Sequence, residues 1–409
     1  MTAPGAKTLF VAIACGGTGG HLFPGLAVAG ELKKRGCKTA LLISPKEIDQ
    51  QAVKTARNME IFTLPAVGLQ NRNYFSFAGS FVKSLFAARK IFRQRQPDAV
   101  LAMGGFTSAP PVLAAKMFGT RTFLHESNTI PGRANCFLAR FVNEAFVGFP
   151  EATTRLKARK VTTTGTPVRP QFDFEKSAVG DRQLAIESCR AALGLDPNRP
   201  AVLVMGGSQG ASGINEIILA TLPLLADRDS IWQWLHLTGA GYFEKVEAAY
   251  ATRKVKAVVK PFLAEMDLAL VAATAAVSRA GASSLAEIAA MRLPSLLIPF
   301  PAAADNHQYH NARAFEATGA VRLLEQKDAA PEKVAAILRE LVENEATRAS
   351  MRAALARWHA PRAAEQIAEN ILKACWSLSF SLPNENRLEP DKLQQPRSDE
   401  AKQKHVCAA

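Results

Sequence analysis

The chain has no apolar run longer than a strand, no Cys-x-x-Cys pair, and no glycine loop ending in Gly-Lys-Ser/Thr. The first absence excludes a bilayer-spanning helix, which needs about 20 apolar residues. The second, with only six cysteines at irregular intervals in 409 residues, argues for reduced thiols in a cytosolic protein and against a disulfide framework or zinc site. The third excludes a P-loop nucleotidase. Met1–Lys7 carries little charge, and the apolar stretch Leu9–Ala14 is short and runs straight into glycines, so no secretory leader is expected. Acidic residues are missing at two informative places. None follows the second apolar segment, Leu41-Leu42-Ile43-Ser44-Pro45, where a dinucleotide enzyme keeps its ribose-binding carboxylate. The loop Gly16-Gly17-Thr18-Gly19-Gly20 also lacks the GxGxxG spacing, so a nicotinamide or flavin cofactor is not expected.

The other acid-free stretch runs from Ile61 to Pro97 and holds Arg72, Lys83, Arg89, Lys90, Arg93 and Arg95. It sits in a chain of formal net charge +14, which calls for an anionic partner. The stretch lacks the aromatic and glycine pattern of an RNA-recognition module and the fork of a basic zipper, so no nucleic acid is expected. Phe81, Leu85 and Phe92 fall on one helical face and read as core. Leu69, Tyr74, Phe75 and Phe77 lie beside Arg72, and together with the basic helix they suit the anionic surface of a membrane. A helix packed on its sheet with a solvated basic face explains the same residues equally well.

What is present is a repeated α/β pattern. Strand-like runs at Leu9–Ala14, Thr39–Ile43, Glu60–Leu64, Ala99–Met103, Arg121–Leu124 and Ala145–Val147 alternate with helical stretches, which indicates a parallel sheet. A proline-rich hinge, Gly165-Thr166-Pro167-Val168-Arg169-Pro170, and a charged, poorly patterned segment to Arg199 follow. A second series then opens at Ala201–Met205 with the loop Gly206-Gly207-Ser208-Gln209-Gly210, and continues through Trp234–Leu237, Ala257–Val259, Ala275–Val277 and Leu296–Ile298. A last helical region, Ala346 to Trp376, contains Pro361, which should divide it. The expected fold class is therefore α/β, with two Rossmann-like doubly wound domains, 7–165 and 166–376. Residues 377–409 read as a disordered polar tail.

The chemistry centres on Ser278-Arg279-Ala280-Gly281-Ala282-Ser283-Ser284-Leu285-Ala286-Glu287 and the later Gln308 and Asn311. A strand, a glycine turn and a helix start present unpaired N–H groups to a phosphate. Glu287 stands one turn further in, placed to accept from ribose hydroxyls. Capping serines and an ordinary surface glutamate explain this stretch about as well. Asp227-Arg228-Asp229 superficially resembles a metal-binding DxD but follows Leu224-Leu225-Ala226 at a helix end, and reads as solvated surface. Cys15 reads as a small buried residue. His125 and Glu126 form either a structural pair or a site pair. Two glycine loops in two α/β halves leave a nucleotide-sugar transferase and a non-catalytic binding protein open.

Seven blocks, in order, carry a resemblance: GGTGGHLFPGLAVA (Gly16–Ala29), GGFTSAPP (Gly104–Pro111), HESNTIPGRAN (His125–Asn135), GTPVR (Gly165–Arg169), GGSQGASGIN (Gly206–Asn215), SRAGASSLAE (Ser278–Glu287) and HQYHNA (His307–Ala312). With these blocks, Leu9 to about Trp376 resembles the peptidoglycan N-acetylglucosaminyltransferase family, which converts undecaprenyl-pyrophosphoryl-muramoyl-pentapeptide, lipid I, into lipid II. Ser127 and Thr166 depart from the family's usual Gln and Asn. The resemblance implies a GT-B fold, two domains facing a cleft with the C-terminal helix crossing back to the first. It implies UDP-GlcNAc as donor and lipid I as acceptor, at the cytoplasmic surface of the inner membrane. It places Ser208, the Ala282–Ser284 turn and Arg169 at the diphosphate, with the helix start continuing through Leu285 and Ala286. It places the Leu263 backbone at the uracil, Glu287 at the ribose, and Gln308 at the sugar. Thr18, Gly19, Gly20 and Asn128 close from the first domain. Such enzymes generally need no metal or cofactor, because helix dipoles and Arg or Ser neutralise the leaving UDP. The implied reaction is a single inverting displacement. A histidine titrates near neutrality, about 6.5, so His21 is the first candidate base and Glu126 the alternative.

Overall fold

The computed structural model describes residues 8–46, 49–50, 59–66, 74–172, 182–207, 210–228 and 231–379. Two parallel sheets organise them. The first contains β1 (Phe10–Ala14), β2 (Lys38–Ile43), β3 (Glu60–Thr63), β4 (Ala99–Ala102), β5 (Arg121–Glu126), β6 (Glu144–Val147) and β7 (Val161–Thr163), in the order β3-β2-β1-β4-β5-β6-β7. The second contains β8 (Ala201–Met205), β9 (Gln233–Leu237), β10 (Ala257–Lys260), β11 (Ala275–Ser278), β12 (Ser295–Leu297) and β13 (Arg322–Leu323), in the order β10-β9-β8-β11-β12-β13. Strands β1 and β8 are buried at every residue. Helices on both faces demand this of a parallel sheet, and the strands accordingly read as continuous apolar runs without alternation. In each sheet the order reverses beside the first strand, between β1 and β4 and between β8 and β11. Ligands of such sheets bind at that switch point, beyond the carboxyl ends of the strands. All four of the glycine-bearing turns singled out by motif, after β1, β4, β8 and β11, emerge there.

The expected two-domain α/β architecture is observed, as is division of the last helical region at Pro361. Helix Glu345–Trp358 ends, and helix Ala363–Ser379 begins beyond it. The second helix crosses back to the first domain. Ile367, Ile371 and Leu372 join Leu22, Val28 and Leu32 in one core, and Glu365 lies 3.3 Å from Arg35. The segment before Arg199, expected to be unpatterned, contains helix Arg182–Ala192. Its buried side includes Arg190, which donates to the Ala272 and Pro197 carbonyls and to Thr274 Oγ1. A charged residue at an inward position broke the apolar period. Strands β7 and β13, with three and two residues, were too short to give a pattern. The expected polar tail falls outside the described residues from position 380 onward.

The two connections between the domains meet at Gly165. Its φ is +79°, and a Cβ there would lie 2.2 Å from the Ala360 Cβ. Gly36 has a similar φ of +81° but open space around it. Gly36→Ala should therefore cost only the left-handed penalty of ~1–2 kcal/mol. Gly165→Ala should cost clearly more, because two chain segments must also separate. Urea midpoints of the two variants compare them directly, and equal losses would remove the crossover contact as a constraint.

Candidate active site

The loop after β1 begins at Gly16, where a Cβ would lie 2.3 Å from the Ser44 nitrogen, so only glycine lets the chain pass β2. Gly17 donates its N–H to Asp49 Oδ2 at 2.6 Å, and the Gly16 carbonyl accepts from Thr107 Oγ1 at 2.6 Å. The loop is thereby tied to both neighbouring strand ends. Helix Gly19–Lys34 follows with Thr18 as its extended N-cap, and no side chain caps it. Its first N–H groups face the switch point uncapped. His21, half-buried in the first turn, lies under the loop after β4: a Cβ on Gly104 or Gly105 would come within 2.9 Å or 3.1 Å of the imidazole. Burial pushes the imidazole below its ordinary titration range, with the Glu126 charge opposing. Its Nδ1 is buried, and the Met103 backbone and the Asp49 charge also oppose the downward push.

Glu126 ends β5 and is buried. Its Oε1 accepts from the Asn128 backbone N–H (2.8 Å) and Nδ2 (2.9 Å), and its Oε2 from the Gly132 N–H (2.9 Å) and Asn135 Nδ2 (2.8 Å). Four donors fill two carboxylate oxygens, so Glu126 shapes the 127–135 loop and has no lone pair waiting for a substrate proton. His125 is structural in the same way, donating from Nε2 to the Gly165 carbonyl and accepting at Nδ1 from Ser127 Oγ. The Cys15 thiol is buried, and that burial pushes its pKa up.

On the second domain, helix Ala282–Met291 has Gly281 as its extended N-cap and no side-chain cap. Ser283 and Ser284 therefore occupy the first turn and are not a capping pair. The Leu285 side chain is in the core and Ala282 nearly so, which leaves the backbone, Ser283, Ser284 and Ala286 for a ligand. Leu263 is likewise buried and can offer only backbone. Arg279 is spent on structure: it donates to the Ile298 and Pro299 carbonyls and to Gln326 Oε1. Gln308 Oε1 accepts from the Ala280 and Phe300 N–H groups. Ser208 lies outside the described residues, as does Asp229. Asp227 pairs with Arg228 and Arg339, as a surface carboxylate does.

The domains meet through residues that periodicity could not reveal. Asn311 is fully buried. Its Oδ1 accepts from the Thr129 N–H and Oγ1, both at 3.0 Å, and its Nδ2 donates to Asn128 Oδ1 and to the Ala280 carbonyl. One amide thus joins the Glu126-ordered loop to the turn after β11. Arg169, on the hinge, stacks on Phe23 of the first domain at 4.1 Å and lies 3.8 Å from Glu287 Oε1. Glu287 is nearly buried, and burial pushes its carboxyl up to about 7, with Arg169 opposing. The sequence had placed Asn311 with Gln308 on the loop after the second apolar strand, but not its partners across the domain boundary.

Both domains match described families. Residues 11–147 match the glycosyltransferase family 28 N-terminal domain, and residues 201–367 its C-terminal domain. The UDP-N-acetylglucosamine--N-acetylmuramyl-(pentapeptide) pyrophosphoryl-undecaprenol N-acetylglucosamine transferase of Anaeromyxobacter dehalogenans is 35% identical over 94% of this chain and 99% of its own. The chain belongs to this transferase family. The Xylella fastidiosa member is 37% identical over 89% of this chain and 96% of its own. Among solved structures, MurG of Acinetobacter baumannii superposes with TM-score 0.67 at 26% identity, covering 90% of this chain and all of that one. UDP-GlcNAc 2-epimerase of Neisseria meningitidis, at 14% identity and TM-score 0.65, shares the fold alone. The fold of this family member is GT-B.

The Glu287 environment has a measurable consequence. Its folded-state value lies above the unfolded one, so its favourable contribution is complete below the unfolded value and is lost as pH rises through about 7. Replacing it by a neutral isostere should then help most in alkali. Glu287→Gln should melt higher than the parent at pH 8 and nearly level with it at pH 5. A constant difference across that range would contradict the burial argument.

Proposed function

We propose that the chain transfers N-acetylglucosamine from UDP-GlcNAc to the C4 hydroxyl of the muramoyl sugar of lipid I, giving lipid II. The observation that carries this reading is the convergence of two uncapped helix N-termini, one from each switch point, on the cleft bridged by Asn311. A sugar diphosphate needs such N–H groups at its charged centre. In this reading residues 7–165 hold the acceptor and residues 166–376 the donor. The Ala282–Ala286 turn, Ser208 and Arg169 meet the diphosphate, the Leu263 backbone the uracil, and Glu287 the ribose. The Gln308 amide nitrogen reaches the sugar, and Thr18, Gly19, Gly20 and the Asn128 loop close over it.

His21 is the base in this scheme. It takes the C4 hydroxyl proton as that oxygen attacks the anomeric carbon, while charge develops on the departing UDP and is met by the helix start and Arg169. Glu126 acts as a positioning residue. Its saturated oxygens support that role over direct proton transfer. An imidazole pushed below its ordinary range is neutral, and so basic, at pH 7. The test is incorporation of labelled GlcNAc into lipid I by the purified chain. Turnover should persist in EDTA, and the acid limb of kcat/KM should fall below pH ~6.5. His21→Ala should lose about 10²–10⁴-fold in kcat and flatten that limb. Loss of all activity in EDTA with rescue by a divalent ion would defeat the metal-free scheme, and an unchanged limb would remove His21 as base.

The acceptor's lipid requires a membrane surface, and helix Tyr74–Gln94 suits one. Ser84, Ala88 and Phe92 face the core, whereas Phe75 (94% exposed), Val82 and Phe86 (61%) form an outward stripe flanked by exposed Lys83, Arg89 and Lys90. The neighbouring helix Ala109–Met117 ends in Met117, itself 58% exposed. Leu69 and Arg72 lie outside the described residues. No described helix is long and apolar enough to cross a membrane. Each basic residue near anionic lipid contributes roughly 1 kcal/mol, screened by salt. Lys83→Glu/Arg89→Glu/Lys90→Glu should keep the parent's melting temperature and release the protein from anionic vesicles. Equal binding by the folded triple variant, at low and high salt, would move the membrane face elsewhere.

A further inference from the structure

The second sheet has a cavity at the end opposite the cleft. Its walls include Pro200, Thr274 and Pro294, which immediately precede β8, β11 and β12. It is therefore at the amino ends of the strands, whereas the nucleotide site is at their carboxyl ends. Five arginines line it, Arg182, Arg190, Arg292, Arg348 and Arg352, against one carboxylate among the described lining residues, Glu345. These side chains surround about 230 Å³. Arg190 spends its donors on backbone and Thr274, and Arg348 is held by Glu345 and two carbonyls. Arg352 gives Nη1 to Glu345 Oε1 at 2.7 Å, while its Nε has no partner although it is out of contact with solvent. Arg292 closes helix Ala282–Met291 in the left-handed region, at φ +52°. Glycine is the usual residue in such a turn, and here a guanidinium is carried on it. Burial first, and then the charges of Arg352 and Arg292, push Arg182 below its ordinary value, with Glu345 opposing.

We propose that this cavity is a binding site for a small phosphate-bearing anion, separate from the donor site. Guanidinium forks match phosphate oxygens and make charge-assisted hydrogen bonds with them. The volume falls below the 300–1,000 Å³ of sites for larger ligands; it suits a phosphomonoester or pyrophosphate group and is too small for a second nucleotide sugar. Nothing in the transfer reaction uses these arginines.

The test is calorimetric titration of inorganic pyrophosphate into the full chain saturated with UDP, with phosphatidylglycerol vesicles as a second arm. One binding event should remain when UDP fills the donor site, and Glu287→Ala should not remove it. Arg182→Gln/Arg292→Gln should weaken it by at least about tenfold, the measure of one charge-assisted bond. Glu345→Gln, which deletes the carboxylate, should tighten it, and this variant decides the matter if the double variant melts early. Vesicle binding that is lost in the arginine variants, without pyrophosphate binding, would assign the arginines to a lipid surface and overturn the small-anion site. Competition by UDP, or unchanged affinity in folded arginine variants, would overturn it as well.

Discussion

Four hydrogen-bond donors around one buried carboxylate hold the first domain's wall of the cleft in place. Glu126 fixes Asn128 through its backbone and side chain, and fixes Gly132 and Asn135 beyond it. Asn128 in turn accepts from Asn311, and Arg133 further along the loop donates to Asp305, so the loop's shape is passed across the domain boundary. An ionised carboxylate at this depth is tolerable only when its oxygens are filled. Removing any donor would leave a buried charge short of partners, and the loop would be expected to shift before the charge stayed uncompensated. The constraint thus sets geometry on both sides of the cleft.

The other recurring constraint is close approach of backbone. Gly16 clears β2, Gly206 clears Ala211, and Gly213 clears Gln326, whose oxygen a Cβ would approach to 2.5 Å. Gln326 accepts from Arg279, and Arg279 holds the carbonyls of Ile298 and Pro299. The turn after β11 and the loop after β12 are thereby braced by one guanidinium. Helix Ala282–Met291 can leave its first turn uncapped because the strand and loop beside it are secured from below. The second domain spends its rigid contacts behind the turn after β11 and leaves the turn itself open.

Much of this was legible in the sequence because parallel strands announce themselves as continuous apolar runs and switch-point loops as glycine clusters. The family blocks added order and spacing, and Pro361 marked the division of the last helical region. Three kinds of feature stayed hidden. Helix Arg182–Ala192 turns a charged residue inward, so its pattern failed. Asn311 and Glu126 act through hydrogen bonds between segments 182 and more residues apart or within an irregular loop, and no local period encodes such partners. The serines Ser283 and Ser284 could be read as caps by composition, yet Gly281 takes the cap position two residues before the first of them.

Glu287 and Arg169 show what the open cleft costs. The two approach to 3.8 Å, a loose pairing for nearly buried charges. Arg169 keeps a buried Nε without a partner and rests on Phe23 and Phe172. A fold selected for stability alone would tighten this pair or replace it with apolar side chains. An arrangement in which the carboxylate is strained upward and the guanidinium is short of acceptors is instead complementary to something with hydroxyls and negative oxygens. Ribose hydroxyls would donate to Glu287, and diphosphate oxygens would accept from Arg169. Each would then favour the charged form of its protein partner. The loose Arg169–Glu287 pair and the proposed donor contacts are one argument, because the hydrogen-bonding capacity the pair leaves unused is what those contacts would take up.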